Sequence, residues 1–262
     1  MIAKIKGNAT MKKLFRKLNT WTKIVQNFFN KICIRLLHPE IKRYIQFVKQ
    51  NYANGKKYKI KTAYGRGWKN VVIILDKKYA FKFPFSKCDR KLTEHTAMME
   101  KRFVDAFRKI SPIYIPSIEI INWNGLTVRK YDYVFGKQIT DFVPDEISEI
   151  NRKKIATQLA NFIWTIAQSD PVELQDLKPD SNEKPELLRG WMHTDLATNF
   201  LMDKDFNIVA VIDWEEVYWC DIRFGFSNIN KSLDRRGYYG VALNTIFDYV
   251  HDYLTNVKSL DK

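Results

Sequence analysis

The chain has 262 residues, 45% of them hydrophobic, and its 44 Lys and Arg against 29 Asp and Glu give a formal net charge of +15 at pH 7. That length and apolar content suffice for a full core, while no apolar run reaches the about 18 residues that span a bilayer and no uninterrupted apolar segment marks a secretory signal. The three cysteines, Cys33, Cys88 and Cys220, lie far apart, which excludes a disulfide framework or a zinc site and predicts a reducing, cytoplasmic location.

The positive charge is concentrated at the N-terminal end. Residues 1–61 contain sixteen Lys and Arg and one acid, Glu40, a surplus equal to the net charge of the whole chain. Apolar residues recur at helical spacing over residues 11–37, with basic residues between them, and Pro39 ends the pattern. A helix of this kind is expected to lie on an anionic membrane surface. Alternatively, it packs on the small lobe that residues 53–132 are expected to form, or on a second subunit. Nucleic-acid binding is not expected, because the face opposite the charges is strongly apolar.

Residues 64–84 predict a strand, a glycine turn, a second strand and a short third strand. Gly65 and Gly67 in the turn lack a Cβ and would let backbone N–H groups approach phosphates, although the same pattern also occurs in ordinary hairpins. Lys82 stands alone among apolar and aromatic residues of the third strand. It is either buried, in which case it needs a charged partner, or on the solvated face of an amphipathic strand.

A helix is expected over residues 90–110, followed by two strands at 118–121 and 126–128, which completes a five-stranded, mostly antiparallel lobe. Glu100 shares the inward face of the helix with its apolar residues, and Glu94 lies on a neighbouring turn. Beyond residue 138 the apolar period becomes helical, which predicts long helices over 146–168 and 241–254.

The two segments His193–Asn199 and Val211–Trp214 are the most informative of the chain. Strand and turn residues between them predict a short hairpin, so its two ends should lie close together. Phosphoryl transfer needs one carboxylate to orient or deprotonate the attacking hydroxyl and hard oxygen ligands to hold magnesium against nucleotide phosphates. Asp195 and Asp213 can divide those roles, whereas a lone H-x-D match would indicate only a buried histidine and a capping aspartate.

These motifs together resemble the aminoglycoside phosphotransferase-like branch of the protein-kinase fold, a family that includes choline, sugar and lipopolysaccharide-core kinases. The resemblance covers about residues 58–230. It implies an α+β, two-lobed protein kinase-like fold, with a small antiparallel-sheet N-lobe over residues 53–132 and a mainly helical C-lobe over residues 133–262. The basic amphipathic helical extension, residues 1–52, precedes both lobes.

The resemblance also implies roles for the hairpin residues. Asp195 would be the catalytic base, His193 would hold the backbone of the catalytic loop, and Asn199 and Asp213 would bind Mg²⁺. Two departures from the family pattern stand out. Asn199 follows Asp195 by four residues instead of five, and Gly225 stands where the family has an aspartate that braces the catalytic loop.

The nucleotide site would lie in the N-lobe and at the hinge between the lobes. By the resemblance, Lys82 would contact the α- and β-phosphates of ATP and pair with Glu100, or with Glu94 if the helix register differs. The hinge would span residues 130–138, with backbone groups of Tyr133 and Val134 recognising adenine.

The expected function is an ATP- and Mg²⁺-dependent phosphotransferase acting on a hydroxyl. The basic extension favours a membrane-associated glycan or glycolipid acceptor, such as a lipopolysaccharide-core sugar, and a peripheral position on the inner face of the cell membrane. A soluble kinase for an aminoglycoside, choline or sugar is the alternative, and a polycationic acceptor would need an acidic pocket lined by Glu215, Glu216 and Asp221. A nucleotide-binding pseudokinase or membrane adaptor is the alternative from another class, suggested by the two departures.

Overall fold

A computed structural model describes part of the chain, namely residues 40–53, 59–64, 69–85, 88–143, 146–179, 189–235 and 241–260. The chain forms two compact units, Met1–Lys56 and Lys57–Lys262. The described part of the first unit is helix α1 (Glu40–Tyr52), one face of which is buried. The helix predicted over residues 11–37 lies outside the described residues. None of the described helices is both long enough and apolar enough to cross a membrane.

The N-lobe is an antiparallel sheet, as predicted. Its five strands are β1 (Ile60–Tyr64), β2 (Asn70–Leu75), β3 (Tyr79–Pro84), β4 (Ile118–Trp123) and β5 (Leu126–Asp132), paired in the order β1-β2-β3-β5-β4. The β4–β5 hairpin turns through Asn124 and Gly125, whose φ angles of 49° and 71° are both positive. Asn-Gly is the pair that such a tight hairpin turn favours, because asparagine and glycine tolerate this backbone conformation.

Helix α2 (Arg90–Phe107) connects β3 to β4 and ties the N-lobe to the C-lobe. Asp89 begins the helix by accepting a hydrogen bond from the backbone N–H of Leu92 at 2.9 Å. The inward side of the helix packs against C-lobe tryptophans: the Phe107 ring stacks on Trp214 with centroids 5.6 Å apart. Such ring pairs add to the burial of apolar area, so α2 is fixed to the part of the C-lobe that carries Trp214.

The described part of the C-lobe contains the predicted long helices and two small antiparallel sheets. Its elements are β6 (Lys137–Gln138), α3 (Glu149–Gln168), β7 (Arg189–His193), β8 (Phe200–Met202), β9 (Ile208–Val211), β10 (Val217–Asp221), α4 (Ile222–Arg235) and α5 (Val241–Leu260). Strands β7 and β10 pair antiparallel, β6, β8 and β9 form a second small sheet, and α3 packs against α5 and β7. The hairpin predicted between Asn199 and Asp213 is the β8–β9 pair.

Candidate functional site

The segment His193–Asn199, which we call the catalytic loop after its predicted role, meets the turn after β9 at Ile212. The N–H of Ile212 donates to the carbonyl oxygen of Asn199 at 2.8 Å, and the Ile212 carbonyl oxygen lies 3.2 Å from Nε2 of His193. Both backbone groups of Ile212 are therefore held by the catalytic loop. Asp213 follows directly, so the hairpin brings it to the same place as Asp195 and Asn199.

His193 acts here on the backbone. It is buried, with 2% of its surface exposed, and its ring lies 5.2 Å from that of Trp214. Burial lowers the pKa of His193, against the smaller opposing effects of the Ile212 carbonyl and the Asp195 and Asp213 charges. A neutral ring with its proton on Nε2 donates to the Ile212 carbonyl, which holds the residue before Asp213.

The catalytic loop is compact because Asn199 folds back on Asp195. A short 3-10 helix, Leu196–Thr198, separates the two residues. Nδ2 of Asn199 donates to the backbone oxygen of Asp195 at 2.8 Å and to its Oδ2 at 2.9 Å. Phe200, which stands where the family has its asparagine, is fully buried in β8. Asn199, and not the residue at position 200, is therefore the one that faces Asp195.

Asp213 adopts a backbone conformation that is uncommon for residues other than glycine. Its φ is 63°, and its Oδ1 accepts a hydrogen bond from Nζ of Lys82 at 2.6 Å. Such a conformation costs about 1–3 kcal/mol and persists only where the surroundings impose it, which is common at functional sites. The two hydrogen bonds of Ile212 supply that constraint, and 41% of the Asp213 side chain remains exposed.

Lys82 is held by carboxylates of the C-lobe. Its Nζ bonds Asp213 at 2.6 Å and Glu215 at 2.5 Å, and 12% of its side chain is exposed. Burial by itself would lower the pKa of Lys82, but the charges of Asp213, Glu100 and Glu215 outweigh burial and raise it above the usual value. Lys82 is therefore a buried cation with partners, not a residue on a solvated strand face.

The predicted ion pair between Lys82 and Glu100 is wrong. Glu100 is fully buried and Glu94 is exposed, yet the partner of Glu100 is Arg129, whose Nη1 lies 2.8 Å from Glu100 Oε2. The physical reason is the strand register, because Arg129 of β5 lies directly opposite Lys82 of β3. Its long side chain reaches the helix glutamate, while Lys82 reaches Asp213.

Sequence reasoning missed Arg129. Its guanidinium bonds both Glu100 and Glu215, and only 2% of the residue is exposed. The sequence feature that could have identified Arg129 is the alternation of side chains along β5, which places it on the same strand face as Thr127 and Tyr131. Arginine on a strand usually faces solvent, so the alternation alone did not indicate a buried charge.

The predicted hinge includes the irregular segment between β5 and β6. The N–H of Tyr133 donates to the carbonyl oxygen of Lys78 at 2.9 Å, so it is already used within the N-lobe. An adenine contact at Tyr133 would have to use its carbonyl, and otherwise falls to the backbone of Val134. Gly65 and Gly67, the predicted phosphate turn, lie outside the described residues.

Gly225, which stands where the family pattern has an aspartate, is closely packed in the structure. Gly225 lies in α4 against β7, and a Cβ placed on it would be 2.3 Å from Cγ of Met192. Met192 is buried, with 1% of its surface exposed, and it directly precedes His193. Methionine packing therefore holds β7 at the point where the catalytic loop begins.

Replacing Gly225 with aspartate is expected to destabilise the protein by about 1–3 kcal/mol rather than tighten the loop, since a side chain there overpacks Met192. Urea denaturation of Gly225→Asp against wild type measures the loss. The double variant Gly225→Asp/Met192→Ala opens the space, so its loss should be smaller than the sum of the losses of the two single variants. A single variant as stable as wild type, with faster turnover, would contradict this packing argument.

Of the three acids predicted to line a pocket for a polycation, two are neutralised within the protein. Glu215 pairs with Lys82 and Arg129, and Asp221 binds the guanidinium of Arg223 with distances down to 2.6 Å. Glu216 is exposed, and burial of part of its carboxyl, followed by the charges of Asp195 and Asp213, raises its pKa. Of these three acids, Glu216 is therefore the one that the protein's own cations leave for a cationic acceptor.

The donor atoms beside the catalytic loop fit Mg²⁺. With Nδ2 of Asn199 turned to Asp195 and Oδ1 of Asp213 on Lys82, Asn199 Oδ1 and Asp213 Oδ2 are the oxygens left to face a cation. No group of three or more His, Cys, Asp and Glu that could hold a metal occurs among the residues described. Mg²⁺ is usually held by one or two carboxylates together with substrate phosphates and water, so two protein oxygens suffice.

Comparisons with known proteins show the fold. No family model matches the chain, and no curated protein matches its sequence. The GDP and kanamycin complex of APH(2″)-IIIa matches with a TM-score of 0.55 at 17% identity, over 81% of this chain and 88% of that chain. The streptomycin–ATP–APH(2″)-IIa ternary complex matches with a TM-score of 0.52 at 13% identity, over 78% of this chain and 85% of that chain. Aminoglycoside phosphotransferase APH(4)-Ia matches with a TM-score of 0.51 at 13% identity, over 80% of this chain and 88% of that chain.

At these identities the likeness concerns the fold alone. The chain has the two-lobed, protein kinase-like fold of the aminoglycoside phosphotransferases, with an antiparallel-sheet N-lobe and a mainly helical C-lobe. The fold expected from the motifs is confirmed.

Proposed function

We propose that this protein is an ATP- and Mg²⁺-dependent phosphotransferase that phosphorylates a hydroxyl group of a small molecule. The observation that carries the proposal is the pair of hydrogen bonds at Ile212. They join the loop that carries Asp195 and Asn199 to the residue before Asp213, and Asp213 bonds Lys82. Fold alone does not imply function, so the proposal rests on these groups and their geometry.

In the proposed reaction, Asp195 accepts the proton of the acceptor hydroxyl as its oxygen attacks the γ-phosphorus of ATP. A new oxygen–phosphorus bond forms, the bond from γ-phosphorus to the bridging oxygen breaks, and ADP leaves. Asn199 keeps Asp195 oriented through its amide. Lys82 would exchange its carboxylate partners for nucleotide phosphates. Mg²⁺, held by Asn199 and Asp213, would neutralise charge on those phosphates.

A soluble small-molecule acceptor has the better support. The structural neighbours include complexes with kanamycin and with streptomycin, and their shared fold suggests an acceptor of comparable size. The acceptor need not be a polycation here, because Glu215 and Asp221 are paired within the protein. A neutral sugar or amino alcohol would meet Asp195 without needing several acidic partners.

A membrane-associated glycan is the second candidate acceptor, favoured by the basic surplus of residues 1–61. Basic residues near an anionic leaflet contribute about 1 kcal/mol each. Co-sedimentation of the full chain with anionic vesicles should then be strong at low salt and should fall as salt is added, whereas neutral phosphatidylcholine vesicles serve as the control. Equal sedimentation with both vesicle types would remove the electrostatic argument for a membrane acceptor.

The function is tested by the transfer of radiolabelled γ-phosphate from ATP into separated aqueous, lipid and protein fractions of a bacterial extract. Wild type is compared with Asp195→Asn, which keeps the size of the side chain. Label in the aqueous fraction with wild type only supports the small-molecule kinase, and label in the lipid fraction supports the glycan kinase. ATP binding by the wild type with no Asp195-dependent label in any fraction would overturn the proposal in favour of a nucleotide-binding pseudokinase. Absence of both ATP binding and label would overturn it in favour of a membrane adaptor.

A further inference from the structure

Arg129 is a buried cation inside the N-lobe sheet. Its Nη1 bonds Glu100 Oε2 at 2.8 Å and also bonds Glu215, and its Nη2 lies 3.3 Å from Asn70 Oδ1. A buried charge is costly unless it is paired and hydrogen-bonded. Arg129 meets that condition through carboxylates from helix α2 and from the turn after β9, so it joins the N-lobe sheet to the C-lobe turn that carries Glu215.

Five charged side chains form a linear series in which the signs alternate, which we call the charge chain. Its order is Asp213, Lys82, Glu215, Arg129 and Glu100. Glu215 contacts both cations, whereas Asp213 contacts only Lys82 and Glu100 contacts only Arg129 among these five. Lys82 can therefore leave the chain while Glu215 and Glu100 keep a counter-charge.

The far end of the charge chain is closed by further hydrogen bonds. The hydroxyl of Tyr131 donates to Glu100 Oε2 at 2.9 Å, and the N–H of Trp214 lies 3.3 Å from Glu100 Oε1. Glu100 has 0% of its surface exposed. These bonds, with Arg129, satisfy Glu100 without Lys82.

We propose that Arg129 is a positioning residue for Lys82. By holding Glu100 and Glu215, it prevents the helix glutamate from drawing Lys82 into the protein. It thereby leaves Lys82 on the exposed carboxylate of Asp213, from which its ammonium can transfer to the phosphates of a nucleotide. The statement that Lys82 moves to nucleotide phosphates, the transfer half of this inference, rests on the proposed function. The statement that Arg129 keeps Glu100 from drawing in Lys82, the holding half, concerns the nucleotide-free protein.

The holding half follows from charge balance. Without Arg129, three carboxylates would share the single ammonium of Lys82, and the fully buried Glu100 would be the one with least water to compensate. Lys82 would then be held more tightly, and nucleotide phosphates would have to compete for it. Removing the surplus carboxylate at the same time would restore the original partners of Lys82.

The first test measures the acylation rate of Lys82 by peptide mass spectrometry in the nucleotide-free protein, with acetic anhydride as the probe. We expect Glu215→Gln to raise the rate at least threefold, because it removes a direct partner. Arg129→Met should lower the rate at least threefold, and Arg129→Met/Glu100→Gln should return it to within twofold of wild type. If Arg129→Met is acylated at the wild-type rate or faster, Arg129 does not keep the carboxylates from Lys82 and the proposal is overturned.

The second test measures the Kd for ATP by displacement of a fluorescent nucleotide, without added metal, alongside the Tm. Arg129→Met is expected to weaken ATP binding at least tenfold. Arg129→Met/Glu100→Gln should return the Kd to within threefold of wild type even though its Tm stays lowered. A purely structural role predicts that the Kd follows the Tm and that the double variant binds no better than the single one, which would overturn the transfer half.

The two tests separate this inference from the proposed function. If the wild type binds no ATP while the acylation pattern holds, the phosphotransferase proposal and the transfer half fail, and the hold of Arg129 on the charge chain stands. If ATP binds and the acylation pattern is absent, the assignment of Arg129 fails while the phosphotransferase proposal stands.

Discussion

Replacing Asp195 with asparagine is expected to lower kcat by about 10²–10⁴-fold while the Kd for ATP stays close to that of wild type. The amide cannot accept the proton of an attacking hydroxyl, and general bases typically contribute a factor of this size. Nucleotide binding should persist because the substitution keeps Lys82 and Asp213, whose side chains bond each other. Steady-state kinetics with the acceptor found by fractionation, and calorimetric titration with ATP, measure the two effects.

Thr194→Val is the matched control for Asp195→Asn. It changes the neighbouring residue and removes a hydroxyl that donates to the Glu216 carbonyl at 3.1 Å. Its kcat is expected to stay within about threefold of wild type, as for most changes to an exposed hydrogen bond. An Asp195→Asn enzyme with the kcat of this control would show that another group takes the proton.

Replacing Asp213 with alanine is expected to abolish the effect of magnesium on ATP binding and to lower kcat/KM by about 10³-fold or more, since metal-assisted charge stabilisation contributes several kcal/mol. The variant loses an exposed metal-ligand oxygen and one of the two carboxylates on Lys82. Lys82 keeps Glu215 at 2.5 Å, so the buried ammonium remains paired and the fold should persist. Calorimetric titration with ATP, with and without magnesium, measures the change.

Asp213→Asn refines that experiment because it preserves the shape of the side chain. Its amide oxygen is a weaker ligand than a carboxylate, so it should show a reduced but measurable effect of magnesium. In titrations of both variants, the effect of magnesium on ATP affinity should decrease in the order wild type, Asp213→Asn, Asp213→Ala. Magnesium-ATP binding by Asp213→Ala with wild-type affinity would remove Asp213 from the metal site.

Local patterns in the sequence were sufficient to predict the framework of the site. Strand alternation and the Asn124-Gly125 turn predicted the N-lobe sheet, because pleat and turn geometry depend on neighbouring residues. The short run between Asn199 and Asp213 predicted a hairpin for the same reason. Helical spacing turned Glu100 inward, since residues three and four apart share a helix face.

Contacts between distant elements were decided only by the tertiary structure. Lys82 and Asp213 lie 131 residues apart in the chain, and the partner of Lys82 depends on which long side chain the β3–β5 register places opposite it. That register put Arg129 between Lys82 and Glu100, so the charge chain replaced the predicted pair. Likewise, the contact of Gly225 with Met192 depends on how α4 meets β7. The sequence by itself determined the framework of strands and helices, and the packing of distant elements decided which charges meet, because side-chain pairing depends on distances that local periodicity does not encode.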